Sequence, residues 1–239
     1  MHLAVLVTNT DESAFAQAHP KDGEKFTRLI QSVRPNWQVS SYIVKDGIFP
    51  DDLSRYDGLM ITGSPASVLE QTPWMERLFE LIREAHDRRL PMFGACFGHQ
   101  AIAMALGGEV RRSEDDWAFG LLDMFVSDAP DWFDGPPRFT QFAAHIDHVT
   151  QAPDGARILF STSHCQNAGF ALGQHIYTTQ NHPEMSPEFA AALVEEYADT
   201  LGPEVAARAR ASLSRKADSE LFAQSIARFF EGASGALDH

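Results

Sequence analysis

Short apolar runs alternate with segments of helical periodicity through the first half of the chain, and this order restricts the fold more than any other feature. Residues 3–7 are apolar, and residues 26–33 then carry apolar side chains at the spacing of one helix face. Such alternation is typical of βαβ units, in which parallel strands form one sheet and helices cover it. The sequence therefore predicts an α/β protein with an open, mostly parallel sheet flanked by helices.

Apolar patterns and capping residues also predict where the individual elements lie. Strands are expected at residues 3–7, 37–44, 58–62 and 91–93, around Val110, and at 121–126, 156–160, 170–172 and 176–179. Helices are expected from Asp22, whose carboxylate is a candidate cap, from Thr72-Pro73, over 100–106, from Ser186-Pro187 and in two further C-terminal segments. No linker composition separates the two halves. We therefore expect one domain over 1–239, with a core at about 1–201 and a C-terminal helical extension at 202–239.

Charge and cysteine content exclude several classes of partner and of fold. The 239 residues include 19 Lys and Arg against 33 Asp and Glu, a formal net charge of −14. This negative charge repels phosphate backbones and anionic lipid surfaces, so we expect neither nucleic acid nor a membrane as a partner. Two cysteines are too few for a disulfide scaffold, and no run of about 18 apolar residues occurs. We therefore expect a cytoplasmic protein.

The sequence Gly94-Ala95-Cys96-Phe97-Gly98 stands between an expected strand and an expected helix. In such a G-x-C-x-G turn the nucleophile lies on a sharp bend that the small flanking residues allow. The bend exposes the sulfur at the carboxyl end of the sheet, where open α/β folds bind ligands, and places it at a helix N-terminus, which favours a thiolate. It also leaves the Phe97 N–H free to donate to an oxyanion. Cys96 is therefore the candidate nucleophile.

A base and an orienting group for this nucleophile are available in His182-Pro183-Glu184. The proline keeps the segment extended after the strand expected at 176–179, so residues two apart can point to one side. Glu184 can then hold one nitrogen of the His182 ring while the other nitrogen faces Cys96. The sequence thus predicts a Cys-His-Glu arrangement for nucleophilic catalysis.

Other chemistry-bearing residues are interpreted as structural. Cys165 has no elbow and is read as a small core residue. The motif His145-x-Asp147-His148 supplies too few ligands for a metal site and is interpreted as a loop near the cleft. His99 is read as a packing or hydrogen-bonding residue on the small helix that follows the elbow.

At these motifs the chain resembles a known family. Gly94-x-Cys96-x-Gly98-His99-Gln100, followed much later by His182-Pro183-Glu184, is similar to the class I glutamine amidotransferases, especially their stand-alone, GMP-synthase-like members. The resemblance runs from about residue 3 to residue 201 and includes Gly63-Ser64-Pro65, Gly107-Gly108, His145-x-Asp147-x-Val149 and Asn167-x-Gly169-Phe170. Each piece alone is a weak signal, whereas the combined order is highly specific. The resemblance implies the flavodoxin-like fold of that family, with a nucleophile elbow.

The resemblance also implies catalytic roles, carried over residue by residue. Cys96 matches the nucleophile, His182 the base that later acts as acid, and Glu184 the orienting carboxylate. The backbone N–H groups of Ser64 and Phe97 match the oxyanion hole, although the family usually has a second glycine where this chain has Ser64. Together these five residues are the expected catalytic machinery.

Substrate contacts and the reaction follow from the same resemblance. Gln100 matches a glutamine that contacts the substrate, and on a looser match Asn167, Gly169 and Phe170 hold its amino-acid end. The implied reaction is attack of Cys96 on the γ-carboxamide carbon of glutamine, release of ammonia and hydrolysis of the glutamyl thioester by water. It requires no metal and no organic cofactor.

The expected partners are glutamine or a γ-glutamyl compound and a separate synthetase subunit that presents the ammonia acceptor. The stretch after Glu184 is too short for a synthetase domain on the usual scale of about 100–150 residues. Two alternatives stay open. The same residues can hydrolyse a γ-glutamyl amide of an amine or peptide, provided that the pocket is open beyond the carboxamide. Alternatively, the chain is a catalytically silent binding subunit that retains the fold.

Overall fold

The computed structural model of the chain describes residues 1–113 and 117–235. Over these residues the strands are β1 His2–Val7, β2 Gln38–Ile43, β3 Gly58–Ile61, β4 Met92–Ala95, β5 Glu109–Arg112, β6 Ala118–Val126, β7 Arg138–His145, β8 Asp147–Gln151, β9 Arg157–Ser161, β10 Gly169–Leu172 and β11 Ile176–Thr179. The α-helices are α1 Ala14–Ala18, α2 Asp22–Gln31, α3 Pro73–Asp87, α4 Phe97–Ala105, α5 Pro187–Glu196, α6 Ala198–Ser212 and α7 Ser219–Gly235.

The main sheet has a parallel part and an antiparallel part. Its strand order is β2-β1-β3-β4-β11-β10-β9-β6-β7, and β5 pairs with β8 in a separate small sheet. Neighbours from β2 to β11 are parallel, whereas neighbours from β11 to β7 are antiparallel. The predicted class, an open α/β sheet built on parallel strands with helices around it, is confirmed.

The register of the parallel strands brings their carboxyl ends to one edge of the sheet. Leu6 pairs with Ile61, and Ile61 pairs with Gly94. On the other side of β4, Ala95 pairs with Thr179 at the end of β11. The segments that follow β1, β3, β4 and β11 therefore leave the sheet side by side, at the edge where open α/β sheets bind ligands.

Amphipathic helices cover both faces of the parallel part. On one face, α2 and α7 bury apolar side chains in a common cluster with the strands, including Phe26 and Phe222. On the other face, α3 and α4 do the same, including Leu78 and Ile102. Helix α7 lies within the segment predicted as a C-terminal extension, and its Phe230 is fully buried. This segment therefore contributes directly to the hydrophobic core.

The start of α2 shows how tertiary contacts replaced a local capping interaction. The helix begins at Asp22, as predicted, but Asp22 is its first helical residue and Lys21 is the N-cap. The Asp22 carboxylate instead accepts from Asn9 Nδ2 at 2.7 Å and from Lys25 Nζ at 2.9 Å. The predicted capping role of Asp22 is therefore wrong, because its carboxylate is used to bind the segment after β1.

Two strands were missing from the sequence-based prediction. The loop expected at 145–148 is in fact the junction of β7, which ends at His145, and β8, which begins at Asp147. Strand β7 carries buried polar residues that weaken its apolar pattern. One of them, Gln141, accepts from the Thr179 hydroxyl at 2.8 Å, so tertiary contacts satisfy a side chain that looks exposed in the sequence.

The C-terminal part of the chain is helical, as predicted. Helix α6 is interrupted at Gly202, where φ is 73° and ψ is 167°, and the next residue is Pro203. Helix α7 then runs to Gly235, and residues 236–239 lie outside the described residues. In the part of the chain that the structure describes, no helix combines the length and the apolar character needed to cross a membrane.

Candidate active site

Cys96 occupies a strained turn between β4 and α4. Its backbone has a φ of 49° and a ψ of −107°, a conformation that non-glycine residues rarely adopt. A Cβ on Gly94 would lie 2.6 Å from the Gly98 carbonyl, and a Cβ on Gly98 would lie 2.3 Å from the Ile61 carbonyl oxygen. The two glycines of the motif are therefore required by the close approach of backbone segments, and the turn is the predicted nucleophile elbow.

The elbow places the sulfur at the first turn of α4. Phe97 is the first helical residue, so its N–H has no acceptor within the helix. The Cys96 N–H donates to the Thr179 carbonyl of β11 at 2.9 Å, which fixes the turn to the carboxyl edge of the sheet. The Phe97 N–H and the positive end of the helix dipole are consequently next to the sulfur, where they favour negative charge.

The Gly63-Ser64 turn after β3 lies against both Cys96 and His182. A Cβ on Gly63 would lie 2.8 Å from His182 Cε1 and 3.5 Å from Cys96 Cβ, so a side chain there would displace the imidazole. Ser64 lines the same cavity as Cys96 and does not have a positive φ. Its Oγ accepts from the Ala66 N–H at 3.2 Å. A serine thus fits this position without the backbone freedom of glycine.

His182 is held from two sides. Its backbone N–H donates to the Phe142 carbonyl of β7 at 2.8 Å, and its Nδ1 lies 2.7 Å from Glu184 Oε1. A carboxylate only accepts, so Nδ1 carries the hydrogen and Nε2 is the nitrogen left for chemistry. Within the described residues, Nε2 is buried and has no partner that meets hydrogen-bond geometry.

The charges around His182 favour its protonated form. Burial by itself lowers the pKa of a histidine, but the negative charges of Cys96 and Glu184, and the hydrogen bond from Nδ1 to Glu184, raise the pKa of His182 well above its usual value. The Glu184 side chain is itself only 4% exposed, so water screens its charge little. The site therefore places the Cys96 sulfur beside a histidine that is favoured in its protonated form and oriented by a buried carboxylate.

Gln100 on α4 also lines the cavity, and buried acceptors fix its amide. Its Nε2 donates to the Asp147 carbonyl at 2.8 Å and to Gln180 Oε1 at 3.3 Å. His145 donates from Nδ1 to the same Asp147 carbonyl at 3.2 Å. Burial and the positive charge of His182 lower the pKa of His145 to about 3, so this second histidine stays neutral beside the charged one.

The looser substrate match, Asn167, Gly169 and Phe170, lies outside the cavity lining. Asn167 Nδ2 donates to the carbonyls of residues 149 and 150 at 3.2 and 3.0 Å. A Cβ on Gly169 would lie 2.5 Å from the Phe160 ring, and Phe170 is fully buried in the core. The structure gives these three residues a packing role around β10 and does not bring them to Cys96.

One cavity of about 420 Å³ connects the remaining predicted residues except Phe97, which is fully buried. Its lining includes Ser64, Cys96, Gln100, His182 and Glu184. These residues come from the ends of β3, β4 and β11 and from the first turns of α4. The register of the parallel strands therefore assembles the site from segments that are far apart in the sequence.

Two walls of the cavity lie outside the catalytic and substrate-binding residues predicted from the sequence. Trp117 and Phe119 form one wall at the start of β6. The segment after β1, together with Phe189 of α5, forms the other. Its polar residues 8–13 follow the carboxyl end of a parallel strand, which is a signal for a ligand crevice. Phe189, in contrast, lies on a helix without a distinguishing motif.

Comparisons with known proteins agree with this geometry. The family model for class-I glutamine amidotransferases matches residues 23–196. Gamma-glutamyl peptidase 3 of Arabidopsis thaliana is 30% identical over 66% of this chain and 67% of its own length. A glutamine-hydrolysing GMP synthase subunit of Methanocaldococcus jannaschii is 34% identical over 56% of this chain and 73% of its own length. A glutamine amidotransferase structure from Thermotoga maritima has a TM-score of 0.74 at 21% identity, covering 98% of this chain and 97% of that one, which shows a shared fold.

Proposed function

The chain belongs to the class I glutamine amidotransferase family, and from this premise we propose that Cys96 cleaves the side-chain amide of glutamine or of a related γ-glutamyl compound. One observation carries the proposal: a cysteine on a strained elbow lies beside a histidine whose other ring nitrogen bonds a buried glutamate at 2.7 Å. A thiolate, an acid–base group and an orienting carboxylate are the parts that acyl transfer through a thioester requires.

In the first half of the reaction, the Cys96 thiolate attacks the γ-carbonyl carbon. Negative charge develops on the carbonyl oxygen, and the N–H groups of Phe97 and Ser64 are the donors proposed to hold it. The protonated His182 gives its Nε2 proton to the departing nitrogen, so the carbon–nitrogen bond breaks as an amine or ammonia leaves.

In the second half, water resolves the glutamyl thioester. Neutral His182 accepts a proton from water, the hydroxide adds to the thioester carbon, and the Cys96 thiolate leaves. Glutamate is released and the thiolate–imidazolium pair is restored. Throughout the cycle Glu184 keeps the ring oriented and stabilises its charged form.

Glutamine is the first proposed substrate, with the ammonia passed to an acceptor on a separate subunit. The similarity to a protein named as a subunit of a glutamine-hydrolysing synthase supports this arrangement. The active form needs a reduced Cys96, which is consistent with the proposed cytoplasmic location.

A γ-glutamyl amide hydrolase is the second candidate, and the size of the cavity favours it. Ammonia takes about the volume of one water molecule, roughly 30 Å³. The cavity of about 420 Å³ extends well beyond the reacting amide. Relatives named gamma-glutamyl peptidases, at 28–30% identity, also support this candidate.

Turnover of a defined substrate panel tests the proposal. The purified protein is incubated with glutamine and with several γ-glutamyl amides, and release of glutamate and of ammonia or amine is followed. We expect turnover of at least one substrate and its loss in Cys96→Ser. If the wild-type protein, alone and with added partner fractions, turns over none of them, the chain is a silent binding subunit and the proposal is wrong. If turnover by Cys96→Ser matches that of wild type, Cys96 is not the nucleophile and the proposal is also wrong.

A further inference from the structure

The cavity that Cys96 lines also reaches α1, the start of α2 and α5, and we call this part of it the amine arm. Its walls are Phe15 in α1, His19 just after α1, Lys25 in α2 and Phe189 in α5. Phe189 follows His182 closely in the sequence, at the third position after the N-cap of α5. His182, Met185 and Phe189 all line the cavity, so its wall runs from the acid for the leaving group to the arm.

Three rings of the amine arm form one cluster. The ring centroids of Phe15 and His19 are 4.5 Å apart, and that of Phe189 lies 5.8 Å from Phe15 and 5.2 Å from His19. All three side chains are partly exposed. Because rings at these distances pack as they do in protein cores, the cluster offers a preformed apolar surface to a ligand.

A chain of polar contacts holds Phe189 in place. The Lys25 ammonium lies 3.5 Å from the centroid of the Phe189 ring, an arrangement that the ring quadrupole stabilises. Lys25 also binds Asp22 at 2.9 Å, and Asp22 accepts from Asn9 at 2.7 Å. Asp22 is only 8% exposed, so water competes little with these contacts. The aromatic wall is thus oriented before a ligand binds, which lowers the entropic cost of binding.

Three lysines line the cavity beyond α1, and carboxylates balance the charges of two of them. Lys25 is paired with Asp22, and Lys45 is paired with Glu12 at 2.6 Å and Asp46 at 2.8 Å. The third, Lys21, donates to the Ala16 carbonyl at 2.9 Å. A ligand carboxylate would have to compete with these acceptors, and Asp11 and Glu12 on the same lining would repel it. The arm therefore favours an uncharged group over an anionic one.

Resting on the proposed cleavage of γ-glutamyl amides, we propose that the amine arm binds the nitrogen substituent of the substrate and that this substituent is uncharged and apolar, with an aromatic ring fitting best. The bond between the γ-carbonyl carbon and the substituted nitrogen breaks as the sulfur–carbon bond forms. The nitrogen takes the proton of His182 and leaves through the arm as a free amine, and water then releases glutamate.

A graded series of substrates tests the proposal. Glutamine, γ-glutamylmethylamide and γ-glutamylbenzylamide differ only in the substituent on nitrogen, and γ-glutamylphenylglycine adds a carboxylate to the benzylic carbon of the benzylamide. Burial of an apolar group in a pocket discriminates by about 10–200-fold. We expect kcat/KM for the benzylamide to exceed that for the methylamide by a factor in this range, with γ-glutamylphenylglycine below the benzylamide.

Variants of Phe189 connect this preference to the arm. Phe189→Ala is expected to lower the benzylamide-to-methylamide ratio by about tenfold, because one of the three rings of the cluster, and the one that Lys25 orients, is lost. Phe189→Leu keeps apolar volume and is expected to retain part of the preference. Phe125→Ala is the matched control, since Phe125 is 43% exposed on β6 and does not line the cavity. It should leave the ratio unchanged.

Binding to Cys96→Ala separates this inference from the proposed function. This variant cannot form a thioester, so calorimetry reports affinity alone. Tighter binding of the benzylamide than of the methylamide, by at least about tenfold, and its loss when Phe189→Ala is added, supports the arm even where wild-type turnover is absent and the proposed function fails. Equal affinity for the two amides, or a preference that survives Phe189→Ala, overturns the proposal.

Discussion

Cys96 and Cys165 are buried to nearly the same degree, with exposed fractions of 4% and 2%, yet the structure gives the two thiols different surroundings. Cys96 has a positive φ at the start of α4 and lies beside His182. Cys165 lies in the turn between β9 and β10, where its N–H donates to the Thr162 hydroxyl and its carbonyl accepts from the Thr162 N–H. Burial raises the pKa of the Cys165 thiol to about 12. Exposure therefore does not distinguish a reactive thiol from an inert one.

The difference lies in what each environment offers to a negative charge. Cys165 belongs to the apolar cluster that also contains Phe160 and Ala168, where a thiolate would lose its hydration without compensation. At Cys96 the helix N-terminus and the protonated His182 replace that hydration. Under the proposed function, a buried cysteine is activated by its partners rather than by exposure to solvent.

Removal of each sulfur in turn is expected to have the largest effect. Cys96→Ser should lower kcat/KM for the preferred substrate by at least about 10⁴-fold, because loss of the nucleophile leaves only binding and oxyanion stabilisation. Cys165→Ser makes the same atomic change outside the cavity and should keep the wild-type kcat/KM. Steady-state glutamate release measures both. A comparable loss of kcat/KM in the two variants would show that the two thiols do not differ in function.

Loss of the carboxylate charge is expected to have the next largest effect. Glu184→Gln keeps the shape of the side chain but should lower kcat/KM by about 10³–10⁴-fold. The pKa of His182 should fall, because one of the charges that raise it is gone. Titration of the His182 ring by NMR measures that change, and Glu188→Gln, at an exposed position on α5, is the control. An unchanged His182 pKa would show that Glu184 acts through position alone.

Alkylation compares the reactivity of the two thiols without any mutation. At pH 7 a thiol with a pKa of about 12 is ionised to about 10⁻⁵, so Cys165 should react very slowly with iodoacetamide. We expect Cys96 to be labelled at least about 10³-fold faster, as measured by peptide mass spectrometry over time. Unfolding in denaturant should remove the difference. Similar rates in the folded protein would mean that Cys96 is not activated.

The smallest expected effect is on the pH dependence of stability, to which the buried residues His99 and His182 contribute. Burial lowers the pKa of His99 to about 3, whereas an unfolded histidine has a pKa of about 6.5. Between these values the unfolded chain binds the extra proton, so His99 makes the protein less stable as pH falls below about 6.5. For His182, with a raised pKa, the sign is opposite: its contribution is complete below about 6.5 and is lost as pH rises through its folded pKa.

His99→Asn isolates the acid-side contribution. Urea unfolding at pH 7 and pH 5 should show that this variant loses about 1–2 kcal/mol less stability than wild type between the two values. The opposite-sign contribution of His182 is present in both proteins and cancels in the difference. Parallel pH dependences of the two proteins would show that His99 is protonated in the folded state.

Much of the fold could be predicted because its parallel strands are apolar and its helices amphipathic. Strand β11 was predicted with its observed bounds, 176–179, and α3 begins at the predicted Pro73. Strand β7 was missed because buried polar residues such as Gln141 interrupt its pattern and are satisfied only by residues distant in the sequence. Local patterns identify an element when its burial is apolar, and they fail when tertiary hydrogen bonds permit polar burial.

The site residues also divide into those that local sequence patterns identify and those that they do not. The roles proposed for Cys96, His182 and Glu184 rest on short segments whose geometry is local, and the structure places all three on one cavity. The segment Asn167 to Phe170 had only a loose motif, and a motif of that kind does not specify which side of the sheet its residues occupy. The structure places it around β10, where it packs against neighbouring strands.

The elbow follows from the local sequence. Gly94 and Gly98 lie two residues on either side of Cys96, and a larger side chain at either position would collide with backbone atoms. The local sequence also determined the two-residue spacing that joins His182 to Glu184. Tertiary structure alone decided that these segments meet, through the pairing of Ala95 with Thr179, and that the cavity continues to Phe15 and Phe189. These two kinds of constraint differ in the sequence separation over which they act. Steric and capping constraints act within a few residues, whereas strand register and side-chain packing join residues that are far apart in the sequence.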